Sequence, residues 1–233
     1  MEKFTSNSKT ILSVDFDRDS TCQVKCGYCY VGNMERIYPA YKKKVEENTK
    51  IARRLPLEFA DGLNKEYLKA KLSVAKQFKR LKKRDMSIRI YGGGDFVPEH
   101  LEFLEYLQFP FFIISKNLVR SSVDFTDKLV KFPNLTRLVL SLDSSMVDKF
   151  YDVSANRKLS SPKLQVSFTG TEADFNRLKV KDGLEFDIFF NIGKRKIDKE
   201  ASSLHKEACP CDSGQLPHSE SCSYCSKCWG GID

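Results

Sequence analysis

The sequence predicts an α/β protein, a partial (β/α)6 barrel followed by a short cysteine-rich metal-binding tail. Three observations carry this. Extended apolar runs recur six times, with helical patterns between them. The repeat of about thirty residues is the size of a βαβ unit, and such alternation builds a parallel sheet with helices outside it. Six units are too few for the closed eight-stranded barrel of ~250 residues, which leaves an open, curved partial barrel or a doubly wound sheet. The alternation stops at "GKRKIDKEASSLHKEACPCD", so residues 1–195 read as the βα domain and 196–233 as the tail.

The elements follow in order. "TILSVDFD" (10–17) alternates and is rich in β-branched and aromatic residues, so it reads as a strand. Residues 64–84 place Leu68, Leu72, Ala75, Phe78 and Leu81 on one helical face, with Asn64 as N-cap. "MSIRIY" (86–91) is the second strand and "GGGD" breaks it. Pro98 opens a helix carrying Leu101, Leu104 and Leu107. "FPFFIIS" (109–115) is the third strand, and "DFTDKLVKF" is a helix that Pro133-Asn134 ends. "LTRLVLSLD" (135–143) is the fourth strand, with a short helix expected near "SMVDKFYDV". "KLQVSFTG" (163–170) is the fifth, and "TEADFNRLK" opens like a capping box, with Thr171 three residues ahead of Asp174. "LEFDIFFNI" (184–192) is the sixth.

The 233 residues are 41% hydrophobic and 30% charged, an ordinary globular composition. "MEKFTSNSKT" holds no apolar run of the kind a secretory signal needs, and no window has the apolar length of a membrane span. The expected location is the cytoplasm. Thiols stay reduced there, so the eight cysteines read as metal or cluster ligands. The formal charge is +8, with basic runs at 41–44, 52–54 and 76–84. Each run is either a solvated helix face or part of a phosphate-attracting surface, so nucleic acid is one expected partner.

Cys22, Cys26 and Cys29 follow the first strand in "CQVKCGYC". Functional residues of parallel α/β folds gather at the carboxyl ends of strands, and this loop stands there. Three thiolates are too few for a closed zinc site. On a [4Fe–4S] cluster, usually held by four cysteines, they leave one iron open to a ligand.

The spacing C-x3-C-x-aromatic-C, with Tyr28 as the aromatic, resembles the signature of radical S-adenosylmethionine enzymes. The resemblance implies a [4Fe–4S] cluster on Cys22, Cys26 and Cys29 whose open iron chelates S-adenosylmethionine. With an electron from an external donor, it implies cleavage of the sulfonium to a 5′-deoxyadenosyl radical. "YGGGDF" is similar to the family's Gly-Gly-Glu segment, which binds the cofactor's amino group. Gly92, Gly93, Gly94 and Asp95 are then cofactor-binding, with Asp95 one methylene shorter than the usual Glu. The alternative for "GGGD" is a turn and helix N-cap ahead of "VPEHLEFL". Ser141 and Asp143, after strand four, stand where the family keeps polar residues for the ribose.

In the tail, Cys222, Cys225 and Cys228 form C-x2-C-x2-C, and Cys209 or Cys211 can complete four thiolates. The site holds a second [4Fe–4S] cluster or zinc, with His218 as an alternative ligand. "ACP…SCSYCSKCWGG", together with "ILSVDF", the cysteine–Tyr30 loop and "RIYGGGDF", resembles the phage "gene product 88" domain family. That resemblance makes Cys209 the natural fourth ligand, with Cys211 as an extra, and implies a phage-encoded protein in the host cytoplasm. The expected function is radical modification of a nucleic acid or a peptide. The alternative is a non-enzymatic phage nucleic-acid-binding protein with structural zinc or iron–sulfur sites.

Overall fold

The computed structural model describes residues 12–24, 30–77, 87–120, 123–143, 161, 163–170, 173–174 and 188–191. Six parallel strands form one sheet: β1 (Leu12–Val14), β2 (Ile88–Ile90), β3 (Phe111–Ser115), β4 (Leu135–Asp143), β5 (Leu164–Gly170) and β6 (Ile188–Asn191). Their spatial order is their chain order. A doubly wound sheet reverses its strand order once, so this sheet is singly wound. With right-handed crossovers and no reversal, the connecting helices fall on one face.

That face holds the hydrophobic core. Leu12 and Val14, Ile88 and Ile90, Phe111 and Ile113, Leu138 and Leu140, and Val166 and Phe168 point into it. The alternate residues Ser13, Arg89, Phe112, Arg137, Val139, Gln165 and Ser167 belong to the opposite face. This second face is more polar, yet Ser13, Phe112, Ser141 and Ser167 on it are buried.

The first crossover carries α1 (Arg18–Thr21), α2 (Tyr30–Ile37), α3 (Pro39–Arg54) and α4 (Pro56–Gln77). Helix α4 starts eight residues before Asn64, and that side chain caps nothing in its own helix: Nδ2 donates to the Tyr106 carbonyl at 3.2 Å, and Oδ1 accepts from the Gln108 amide at 3.0 Å. Of the expected apolar face, Leu68 and Leu72 are exposed, while Phe78 and Leu81 lie outside the described residues; the buried stripe is Phe59, Ala60, Leu63 and Tyr67. The helix extends to Pro56, so its best apolar run lies a turn and more earlier, where Phe59 meets Phe103 edge-on at 5.1 Å.

Pro98 opens a 3-10 turn (Pro98–His100) that runs into α5 (Leu101–Glu105). Helices α6 (Asn117–Arg120) and α7 (Val123–Val130) join β3 to β4. The expected helix near 145–153, most of "TEADFNRLK", and the whole tail 196–233 lie outside the described residues. No described helix is long and apolar enough to cross a membrane.

Candidate functional site

The segment leaving β1 is gripped by α3. Tyr41, Val45, Asn48, Thr49 and Ala52 recur at helical spacing, and the polar members tie down residues 15–17. The Tyr41 hydroxyl donates to Asp15 Oδ2 at 3.1 Å, and Asn48 Nδ2 donates to the Asp15 carbonyl at 3.0 Å. The Asp17 amide donates to Thr49 Oγ1 at 2.8 Å. Asp17 in turn caps α1, accepting from the amides of Asp19 and Ser20. Cys22 ends that helix half-buried, its amide donating to the Arg18 carbonyl at 2.9 Å.

The loop after β2 is built by unusual backbone. Tyr91 has φ 62°, a region bulky residues rarely occupy, and its ring stacks on His100 at 5.8 Å. Gly94 has φ 77°, and a Cβ there would lie 2.7 Å from the Phe16 carbonyl oxygen. A Cβ on Gly92 would meet Asp15 Oδ1 at 2.2 Å and Ser13 Oγ at 2.4 Å. The glycines therefore serve close approach between the ends of β1 and β2.

Asp95 is a junction. Its Oδ1 accepts from the Phe96 amide at 2.7 Å and the Ser115 hydroxyl at 2.6 Å. Its Oδ2 accepts from the amides of Lys116 at 3.0 Å and Asn117 at 3.1 Å. Four donors fill the lone-pair sites of one carboxylate. Burial pushes this carboxyl up to about 6, against the four hydrogen bonds, which lower it. The N-cap expected of Asp95 ahead of "VPEHLEFL" is not what forms. Val97 holds that position without a side-chain bond, and Asp95 reaches across to the end of β3 instead.

Asn117 completes the junction. Its Nδ2 donates to the carbonyls of Thr21 at 2.6 Å and Phe96 at 2.7 Å, and its Oδ1 accepts from the Gln23 amide at 3.1 Å. Thr21 Oγ1 accepts from the Asp95 amide at 3.1 Å. Cys22 is thus bracketed by residues bonded to Asn117, and its loop is locked to the glycine loop. Further along the sheet, Lys116 Nζ pairs with Asp143, which is buried at the end of β4 with Ser141 on the same face.

The structure therefore brings together Cys22, Gly92, Gly93, Gly94 and Asp95, and sets Ser141 and Asp143 at the carboxyl end of β4 in the same sheet. Tyr28, Cys26, Cys29, Cys209, Cys211, Cys222, Cys225 and Cys228 lie outside the described residues. Among the described residues no group of three His, Cys, Asp or Glu is placed to hold a metal ion. Sequence reading missed Asp15, Tyr41 and Asn117. The signal for the α3 contacts is Asn48 and Thr49 inside an apolar periodicity; Asn117 carried none beyond its place after β3. Comparison with protein-family models, curated proteins and solved structures finds no match to the chain.

Proposed function

We propose that the protein is a radical S-adenosylmethionine-type iron–sulfur enzyme, and that its singly wound sheet curves into a six-stranded partial barrel around the polar face. The observation that carries this reading is the junction of Thr21, Asp95 and Asn117, which fixes the first cysteine of a three-cysteine loop against a triple-glycine loop at the carboxyl ends of β1 to β3. The described residues fit such a group. Cys22 is half-buried beside the glycine loop, and Asp15 Oδ1 is buried with no hydrogen-bond partner among the described residues. Cys22, Cys26 and Cys29 would hold the cluster, and Gly92, Gly93 and Gly94 would line the cofactor. When bound, the pair supplies a carbon-centred radical by one-electron cleavage of a sulfonium, the electron coming from an external donor. The chain's own part is to hold the loops and shield the site from water. Asp95 braces both loops in this arrangement; to meet an ammonium it would have to exchange one of its four internal bonds.

The test is anaerobic purification of the whole chain, iron and sulfide analysis, and electron paramagnetic resonance of the reduced protein with and without S-adenosylmethionine. We expect a cluster signal that shifts on adding the cofactor and is lost in Cys22→Ala. Colourless protein with bound zinc would instead favour a non-enzymatic nucleic-acid-binding role. The partner reading draws on α3, where Lys42, Lys43, Lys50, Arg53 and Arg54 are exposed, offset in part by Glu46, which pairs with Lys42 at 3.9 Å. That basic face favours nucleic acid over peptide as the substrate class.

A further inference from the structure

Asp15 and Asp95 stand beyond neighbouring strand ends, and their hydrogen bonding differs. Asp95 is saturated by four internal donors. The Asp15 carboxylate accepts from the Tyr41 hydroxyl through Oδ2, and among the described residues its buried Oδ1 has no hydrogen-bond partner. An unsatisfied buried carboxylate oxygen is costly, and a bound water, ion or ligand group is what satisfies one. The surroundings are built to keep it in place. A Cβ on Gly92 would collide with Asp15 Oδ1 at 2.2 Å, and one on Gly93 would lie 2.8 Å from the Tyr41 hydroxyl oxygen. Both glycines thus make room for the same pair. The backbone around it is pinned by the Gly92 amide donating to the Val14 carbonyl at 3.1 Å and the Phe16 amide to the Gly93 carbonyl at 2.9 Å.

We propose that Asp15, rather than Asp95, is the acid that receives a primary ammonium group of the ligand at this end of the sheet, with Tyr41 orienting its carboxylate. This rests on the cofactor reading above, in which the ammonium is the α-amino group of S-adenosylmethionine. It moves the acceptor from the loop after β2 to the residue after β1. A carboxylate with an unfilled lone-pair site and a fixed orientation suits a charge-assisted N⁺–H···O⁻ bond, because the acid itself need not turn on binding. A saturated carboxylate does not.

Calorimetric titration of the iron-loaded whole chain tests this with three probes: S-adenosylmethionine, its analogue lacking the α-amino group, and L-lysine amide as a simple ammonium. Asp15→Asn should weaken S-adenosylmethionine by about tenfold or more and leave the deaminated analogue unchanged, since a hydrogen bond to a charged group is what is lost. Tyr41→Phe, which removes a single hydroxyl, should weaken it a few-fold with an unchanged melting temperature, and so stands if Asp15→Asn fails to fold. Asp95→Asn should keep the wild-type ratio between the two adenosyl ligands. A wild-type ratio in both Asp15→Asn and Tyr41→Phe, or its loss in folded Asp95→Asn, overturns the inference. Wild-type protein with an intact cluster that binds lysine amide through Asp15 but not S-adenosylmethionine would sink the cofactor reading and keep the ammonium site. Binding of neither sinks both.

Discussion

Asp95 shows how one residue sets the site's tolerance to change. Each of its oxygens faces two donors, so an amide in its place must turn an NH₂ toward a donor pair whichever way it flips. Asp95→Asn should therefore cost about 3 kcal/mol at neutral pH, measured by urea unfolding. Its pH dependence is also fixed in sign. The carboxyl titrates at about 6 in the fold against an ordinary 3.8, so it contributes stability that is complete below 3.8 and lost as pH rises through 6. The Ser115 hydroxyl is the one partner able to turn and accept that proton. His100 runs the other way. Buried beside Tyr91 and Phe16, it is held neutral down to about 3 against an ordinary 6.5, so its contribution is lost as pH falls. The two oppose each other between 3.8 and 6. The stability gap between wild type and Asp95→Asn should widen by about 2 kcal/mol from pH 7.5 to pH 4.5. An equal gap at both values would rule out the raised carboxyl.

At the scale of elements, α3 and α4 show how one periodicity can serve two readings. Leu68 and Leu72 are four residues apart, a spacing that suits a buried face, yet Leu72 is 65% exposed while Leu63 is fully buried. The stripe of Phe59, Leu63 and Tyr67 has the same spacing and wins because Phe59 and Leu63 share the core with Phe103 and β1, while Tyr67 stacks on Phe109. Thermal melts should separate the two. Leu63→Ala should cost about 2–5 kcal/mol, as large-to-small core changes of this kind do, and Leu72→Gln within about 0.5 of zero. A larger loss from Leu72→Gln than from Leu63→Ala would return the helix face to the sequence expectation.

Over the whole molecule, charge and sulfur make separate predictions. If the exposed face of α3 meets nucleic acid, binding should fall steeply with salt as phosphate contacts release counterions. Reversal of Lys42, Lys43 and Lys50 to Glu should flatten that slope by up to about three contacts. Equal slopes in filter binding would leave α3 as a solvated face. On the proposed reading Cys209, Cys222, Cys225 and Cys228 would complete four thiolates without the first loop, so Cys225→Ala with Cys228→Ala should remove one metal site and leave the spectrum of a cluster on the amino-terminal cysteines intact. Loss of both signals together would mean one shared site.

The sequence alone determined the class of fold, through six apolar extended runs at βα spacing; the described strands lie within them, and β4 spans Leu135–Asp143 as read. It also located the cysteine and glycine loops at the strand ends, because chain order and strand direction suffice for that. Several features needed the tertiary structure. Sequence spacing left a doubly wound sheet open beside the expected partial barrel, and the order β1 to β6 excludes the doubly wound one. The same holds for Leu68 and Leu72, whose burial depends on what packs opposite. It holds most for the acids. Asp15 and Asp95 are alike on the page, each beside a β segment, and local sequence cannot say which donors come from residues far along the chain. Tyr41, Ser115, Lys116 and Asn117 supply those donors across separations of 20 residues or more. A carboxylate's role is set by how many of its lone pairs the fold has already filled, and that number exists only once the strands are assembled.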